Sequence, residues 1–170
     1  TSSGTCPVGY VVAPSHAGYG YLADKLASWG YIVVSINANR GINAAGGVSG
    51  DSGLNLARGR LILKHLQKLS EWNKNGGTPS SVGVELKGRI DFSQVGLIGH
   101  SRGGEGIRAA YNQYGDTGSI WPAKILSPVR FRALFEIGPV DGQTSRVLNA
   151  EGTTWTVLLP MCDGDVSNLQ

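Results

Sequence analysis

One serine in this sequence has the neighbours that a nucleophile needs. Ser101 lies in the run GHSRGG at residues 99–104, directly after the apolar segment VGLI at residues 95–98. A serine can attack a carbonyl carbon when a tight strand-to-helix turn projects its hydroxyl and a base accepts its proton. Gly99 and Gly103 leave room for such a turn because neither carries a side chain. The sequence therefore predicts a nucleophile elbow at Ser101.

Three histidines are candidates for the base that would activate this serine. His100 directly precedes Ser101, so its side chain should leave the turn in another direction. His65 falls within the apolar face of a predicted helix, which is typical of a core histidine with one hydrogen bond. His16 lies in an early loop and stays a candidate for a substitute base.

The elements that must hold this turn follow from the spacing of apolar residues. We expect strands at residues 8–13, 31–36, 94–98, 131–137 and 155–159, and helices at residues 19–29, 54–72 and 102–114. Strands that alternate with helices are typical of an α/β fold with a mostly parallel sheet, whose sites lie at the carboxyl ends of the strands. Ser101 would lie at that edge.

The helix predicted at residues 54–72 has its apolar side chains within one arc of a helical wheel. These are Leu54, Ala57, Leu61, Ile62, Leu66, Leu69 and Trp72. Asp51 or Ser52 could cap its first turn, since both end a loop rich in Gly, Asn and Ala. We expect this arc to face the core.

Composition and charge argue against several classes of function. A chain of 170 residues suits a single domain with its own core. The net charge of +3 is small and scattered, so we expect no nucleic-acid partner. No apolar stretch approaches the roughly 18 residues of a membrane span. Cys6 and Cys162 lack metal-ligand spacing, and we expect no metal site.

Taken in order, these motifs resemble the α/β-hydrolase family from about residue 8 onward. The elbow is similar to that of chlorophyllases and related bacterial esterases. Residues 26–34, LASWGYIVV, are similar to the helix-to-strand segment of cutinase-like polyester hydrolases and platelet-activating-factor acetylhydrolases. The resemblance implies an α/β-hydrolase fold with helices on both faces of the sheet. It also implies a serine esterase without cofactor, acting on a small-molecule or polymeric ester, and it favours a secreted bacterial protein.

The resemblance also assigns the groups around the nucleophile. Ser101 would form an acyl-enzyme that water later releases. The oxyanion would be bound by two backbone N–H groups, that of Arg102 and one from the loop SHAG at residues 15–18. Gly18 is the first choice for that second donor and Ala17 the alternative.

The triad acid is expected in a turn after a late strand. The resemblance places Asp165 in the role of the aspartate that orients the catalytic histidine. Asp163 and Asp141 are the alternatives, each following a predicted strand. Tyr19 and Trp121 are candidate aromatic walls of the substrate site.

No histidine follows Asp165, although the family order is serine, acid, histidine. We therefore expect an incomplete hydrolase domain whose final strand, final helix and catalytic histidine lie beyond Gln170 or on another polypeptide, so that this fragment alone is inactive. The strand at residues 155–159 would then be an open edge, which invites self-association or a complementing segment. The alternatives are a non-catalytic binding module of the same fold, or a peptidase or acyltransferase with the same triad.

Overall fold

The computed structural model describes residues 6–39, 42 and 47–163. Contacts between residues divide the chain into two compact units, Thr1–Gly46 and Gly47–Gln170. The expectation of a single domain stays a prediction.

The described residues of the first unit form an α-helix and a short turn of 3-10 helix. The 3-10 turn spans Ser15–Ala17, and helix α1 spans Gly20–Ala27, within the predicted range. Gly30 follows α1 with a φ of 89°, in the left-handed region that glycine adopts without steric cost. Its N–H donates to the Ala27 carbonyl at 2.9 Å, which ends the helix as expected for a glycine cap.

The two strands predicted in the first unit are not formed among its described residues. Residues 8–13 and 31–36 lie outside any helix or strand. Tyr10 N–H instead donates to the Pro7 carbonyl at 3.1 Å, which makes a turn at the start of the first segment. β-branched residues favour a strand, but a strand exists only where a neighbouring strand accepts and donates ladder hydrogen bonds. The prediction of these two strands is therefore wrong for this structure.

The second unit alternates helices and strands as the sequence predicts. Its elements are α2 Asn55–Asn75, β1 Val95–His100, α3 Arg102–Gly115, α4 Trp121–Lys124, β2 Phe131–Ile137 and β3 Thr154–Leu158, with a 3-10 turn at Ser80–Val82. The predicted long helix, the helix after Ser101 and the last three strands are all present, with ends displaced by at most a few residues. Short α4 was not predicted.

The three strands form one open, all-parallel sheet in the order β1-β2-β3. Central β2 alternates buried and less buried residues, while every residue of edge strand β3 is exposed. Helix α3 packs on β1 and β2 and also against α2. The unit is therefore of the α/β class, which confirms the coarse prediction.

The most deeply buried face of helix α2 only partly coincides with the predicted arc. Its buried residues are Asn55, Gly59, Leu63, Leu66 and Ser70. Of the predicted apolar residues, Leu66 is buried, and Ile62 and Leu69 are half-buried and pack against the core cluster. A Cβ built on Gly59 would lie 2.7 Å from the backbone nitrogen of Ala110, so the two helices meet backbone to backbone at this glycine. The close crossing decides which face is buried.

Asp51 caps the first turn of α2, as one of the two predicted candidates. Its Oδ1 accepts the N–H groups of Asn55 and Leu56 at 2.6 and 3.1 Å, and its Oδ2 accepts that of Ala57 at 3.2 Å. These N–H groups have no partner inside the helix. Asp51 is 3% exposed, so the cap lies in the interior.

Candidate active site

Ser101 is the single residue between the end of β1 and the start of α3. Its φ is 54° and its ψ is −124°, a backbone conformation that costs a non-glycine residue about 1–3 kcal/mol. Among the described residues other than glycine, Leu54 is the only other one with a positive φ. The strand, the sharp turn and the helix that the GHSRGG motif predicts are thus all present around this serine.

Gly99, two residues before Ser101, permits β1 and α3 to approach each other closely. A Cβ built on Gly99 would lie 2.2 Å from the Gly103 carbonyl oxygen. This distance is too short for any residue with a side chain at position 99. Gly103 itself has nothing within 4 Å of its hypothetical Cβ. A Cβ on Gly104 would lie 2.6 Å from the Pro139 Cβ. The expectation that Gly99 and Gly103 make room for the turn is therefore half wrong, because Gly104 is the second glycine that the packing requires.

Backbone hydrogen bonds hold Ser101 to the segment after β2. The Ser101 N–H donates to the Ile137 carbonyl at 3.0 Å. The Ser101 carbonyl accepts the N–H of Gly104 at 2.9 Å and that of Val140 at 3.1 Å. The strained conformation is therefore fixed from β2, from the following loop and from α3 itself.

The first predicted oxyanion donor, the N–H of Arg102, lies at the N-terminus of α3. Arg102 is the first residue of α3, and N–H groups in a first turn have no partner within the helix. The positive end of the helix dipole also favours an anion there. In the first unit, the N–H of Gly18 donates to the Ser15 carbonyl at 3.3 Å and that of Ala17 to the Pro14 carbonyl at 2.8 Å. The oxyanion roles of Arg102 and Gly18 both stay predictions.

The candidate acids have different surroundings. Asp141 pairs with the Arg108 guanidinium, Oδ1 to Nη2, at 3.1 Å. Asp163 lies beside the segment after β2, since a Cβ built on Gly138 would be 3.4 Å from its Oδ2. Asp165 lies outside the described residues. Asp163 is thus placed next to the residue that follows Ile137, whose carbonyl binds the Ser101 N–H.

A buried ion-pair cluster lies between α3, β2 and the loop after β2. Arg108 Nε donates to Glu136 Oε1 at 2.7 Å, and the two side chains are 5% and 0% exposed. The guanidinium also donates from Nη1 to the Leu148 carbonyl at 3.3 Å and pairs with Asp141. Its carbon lies 5.4 Å from the centre of the Trp155 ring. Arg108 thus joins four parts of the second unit.

Burial and the neighbouring charge shift the pKa of Glu136 in opposite directions. Burial raises the pKa of the Glu136 carboxyl, while the neighbouring Arg108 guanidinium acts to lower it. This cluster was not predicted from the sequence. The available signal was a charged residue, Glu136, one residue before the carboxyl end of a strand predicted to be buried, since a buried carboxylate needs a partner.

A second buried carboxylate, Glu105, has a structural role. It is 1% exposed and accepts hydrogen bonds from Asn55 Nδ2 at 2.5 Å, from the Gln143 N–H at 3.3 Å and from Thr144 Oγ1 at 3.2 Å. These partners come from α2 and from the loop after β2. Glu105 therefore joins α2, α3 and this loop, although it lies one helical turn from Ser101.

The three histidines lie in α2, at the end of β1 and in the 3-10 turn of the first unit. His65 is half-buried in α2, and its Nδ1 lies 2.8 Å from the Leu61 carbonyl oxygen, which confirms the expected hydrogen bond. His100 is the exposed last residue of β1. His16 belongs to the 3-10 turn of the first unit.

The two candidate aromatic walls lie in different units. Trp121 is 7% exposed and belongs to the core cluster around Leu63 and Phe131. Tyr19 precedes α1, with its ring centre 6.2 Å from that of Tyr21. Substrate contact by either ring stays a prediction.

The described residues contain neither a metal-binding cluster nor a membrane-spanning helix. No group of three or more His, Cys, Asp or Glu side chains is arranged to hold a metal ion in the described part of the chain. No helix among residues 6–39 and 47–163 is long and apolar enough to cross a membrane.

Comparisons of the chain with models of protein families, with characterised proteins and with solved structures found no match.

Proposed function

We propose that this chain carries the nucleophile of a serine hydrolase of the α/β-hydrolase type that cleaves carboxylic esters. The observation that carries the proposal is the backbone of Ser101, with a φ of 54° at a one-residue junction between a parallel strand and a helix. Strain of this kind persists only where the surrounding structure enforces it, and it is concentrated at functional sites. Here Gly99, Ile137 and Val140 enforce it.

The proposed chemistry proceeds through a covalent intermediate. The Ser101 hydroxyl attacks the ester carbonyl carbon as a base takes its proton, and the base returns that proton to the oxygen of the departing alcohol. Water, deprotonated by the same base, then attacks the acyl-enzyme, and the released serine takes the proton back as the acid leaves. Negative charge on the carbonyl oxygen would be stabilised by the Arg102 N–H at the start of α3. Removal of one such donor typically costs about 2.7–4 kcal/mol of transition-state stabilisation. The resemblance assigns the second donor to Gly18.

The acid belongs to the turn that follows β3. Asp165 keeps this role in the proposal because of the resemblance. The position of Asp163, two residues earlier, supports this assignment. The Asp163 carboxylate lies beside Gly138, near the carboxyl end of β2. Asp141 is already engaged by Arg108. The base would be a histidine held by this acid, and the choice of an ester substrate rests on the resemblance alone.

The proposal is tested by ester turnover in the full-length protein that contains these residues. Ser101→Ala should reduce hydrolysis of a short p-nitrophenyl ester by about 10⁴-fold or more, because the nucleophile is lost. Ser81→Ala is the matched control, since Ser81 is exposed in the Ser80–Val82 turn and should leave turnover unchanged.

Two results would contradict the proposal. Turnover by Ser101→Ala near the parent rate would mean that another group is the nucleophile. A parent protein that hydrolyses no ester, amide or thioester would instead favour a non-catalytic binding module of the same fold.

A further inference from the structure

The segment that holds Ser101 in place has its own anchor. At residues 138–141, Val140 donates its N–H to the Ser101 carbonyl at 3.1 Å, and Pro139 packs against Gly104. The next residue, Asp141, pairs with Arg108 Nη2 at 3.1 Å. A single segment therefore contacts the elbow at one residue and a buried guanidinium at the next.

The Arg108 guanidinium is held in one position by several partners. Arg108 is held on other sides by Glu136 at 2.7 Å and by the Leu148 carbonyl at 3.3 Å, and Trp155 covers it. Its side chain is 5% exposed. An arginine with several buried partners has little freedom to move, so the remaining nitrogen of Arg108, Nη2, can set the position of a carboxylate.

We propose that Asp141 and Arg108 are positioning residues for the nucleophile. Their ion pair anchors residues 138–141, and the Val140 N–H in turn fixes the Ser101 carbonyl and the strained backbone. This inference rests on the proposed function, since it assigns a role in presenting the Ser101 hydroxyl. It places neither side chain in contact with substrate.

Because Asp141 is exposed, loss of its carboxylate should affect the reaction rate more than the free energy of unfolding. Its side chain is 56% exposed, and ion pairs with an exposed member add little to the free energy of unfolding. Small displacements of a reacting group, in contrast, lower reaction rates strongly. Loss of the Asp141 carboxylate should therefore slow the chemistry while the protein stays folded.

The test measures three quantities in the full-length protein: kcat, KM and the rate at which a fluorophosphonate labels Ser101. Asp141→Ala should lower kcat and the labelling rate by about tenfold, with KM and the melting temperature near those of the parent. Asp141→Asn keeps an oxygen that can accept from Arg108 and from the Gly142 N–H, whose bond to Asp141 is 2.8 Å long, and should lose less.

The matched control is another ion pair with an exposed carboxylate. Asp116 pairs with Arg146 at 2.8 Å, and its side chain is 40% exposed, but it lies just after α3, at the end away from Ser101. Asp116→Ala should change neither kcat nor the labelling rate. A slower rate in this variant would attribute the effect to surface charge in general and would overturn the inference.

A double-mutant cycle identifies the anchor. Arg108→Lys keeps the charge but loses the fork, so Asp141→Ala should cost little more in that background than Arg108→Lys costs alone. A triad acid would behave differently, because its loss costs about 10⁴-fold whichever residue occupies position 108. A loss of that size in Asp141→Ala would overturn the positioning role and make Asp141 catalytic.

The inference and the proposed function fail in different ways. If the parent labels at Ser101 and Asp141→Ala labels at the same rate, the positioning role is wrong and the proposed function stands. If the parent does not label at Ser101, both are wrong.

Discussion

At the scale of single residues, Ser101 combines an unfavourable backbone with groups that enforce it. Its φ of 54° is one that glycine adopts freely and other residues do not. A serine at this position therefore makes the fold less stable than a glycine would. The proposed role of Ser101 as the nucleophile would account for a strained side chain at a position where glycine would fit better.

This strain predicts an unusual order of stabilities. Ser101→Gly should have a free energy of unfolding about 1 kcal/mol higher than Ser101→Ala, because the glycine relieves the strain and the alanine does not. Urea unfolding of both variants measures the difference.

Ser81 provides the control for this comparison, because it is an exposed serine without a positive φ. There the glycine variant should be the less stable of the two, since glycine loses more backbone freedom on folding. The same order of stabilities at both positions would show that Ser101 is not strained.

Sequence reasoning located Ser101 but not the residues that hold it. The flanking glycines and the apolar run before them are local signals, and they indicate a strand-to-helix turn directly. The pairing of Arg108 with Asp141 joins residues far apart in the chain, and no periodicity records such a contact. Gly104 was missed for the same reason, because the Pro139 ring that approaches it comes from a distant loop.

At the scale of elements, the elbow depends on how closely β1 and α3 approach each other. The Gly103 carbonyl lies where a Gly99 side chain would begin. The last residue of β1 pairs with Ile137 of β2, and the Ser101 N–H continues this bonding by one residue. The turn is thus an extension of the parallel ladder.

Two alanine substitutions test this geometry. Gly99→Ala should lower the free energy of unfolding by about 3 kcal/mol and disrupt the elbow, because the new methyl group meets the Gly103 carbonyl. Gly103→Ala should stay within about 1 kcal/mol of the parent, since its Cβ has open space among the described residues and alanine favours a helix. Thermal or urea unfolding compares them, and equal losses would contradict the packing described above.

Apart from α1, the elements that the sequence predicted correctly lie in the second unit. Helices α2 and α3 and strands β1, β2 and β3 follow from apolar spacing that the packing then uses. The strands predicted at residues 8–13 and 31–36 have equally apolar sequences but are not formed. Hydrophobic pattern indicates what a segment can become, whereas ladder hydrogen bonds decide whether it becomes a strand.

At the scale of the whole molecule, β3 forms one edge of the three-stranded sheet. Trp155 and Leu158 are 48% and 54% exposed on this strand, and Leu159 directly after it is 58% exposed. An exposed, apolar edge strand offers unpaired N–H and carbonyl groups to another chain. We propose that purified residues 1–170 self-associate through this edge.

A charge on the edge should suppress that association. Leu158→Lys should shift sedimentation of residues 1–170 toward monomer, because a lysine on an edge strand disfavours pairing with a second strand. Val147→Lys is the control, since Val147 is 94% exposed but lies in a loop. Equal effects of the two lysines would mean that the association is not through β3.

The most direct measurement of the central claim is the position of a covalent adduct. The full-length protein is treated with a fluorophosphonate at neutral pH, digested, and its peptides are sequenced by mass spectrometry. An activated serine reacts with this reagent and an ordinary serine does not. We expect one adduct, on Ser101, and none after denaturation or in Ser101→Ala. An unlabelled protein, or an adduct on another serine while Ser101 stays unmodified, would contradict the account.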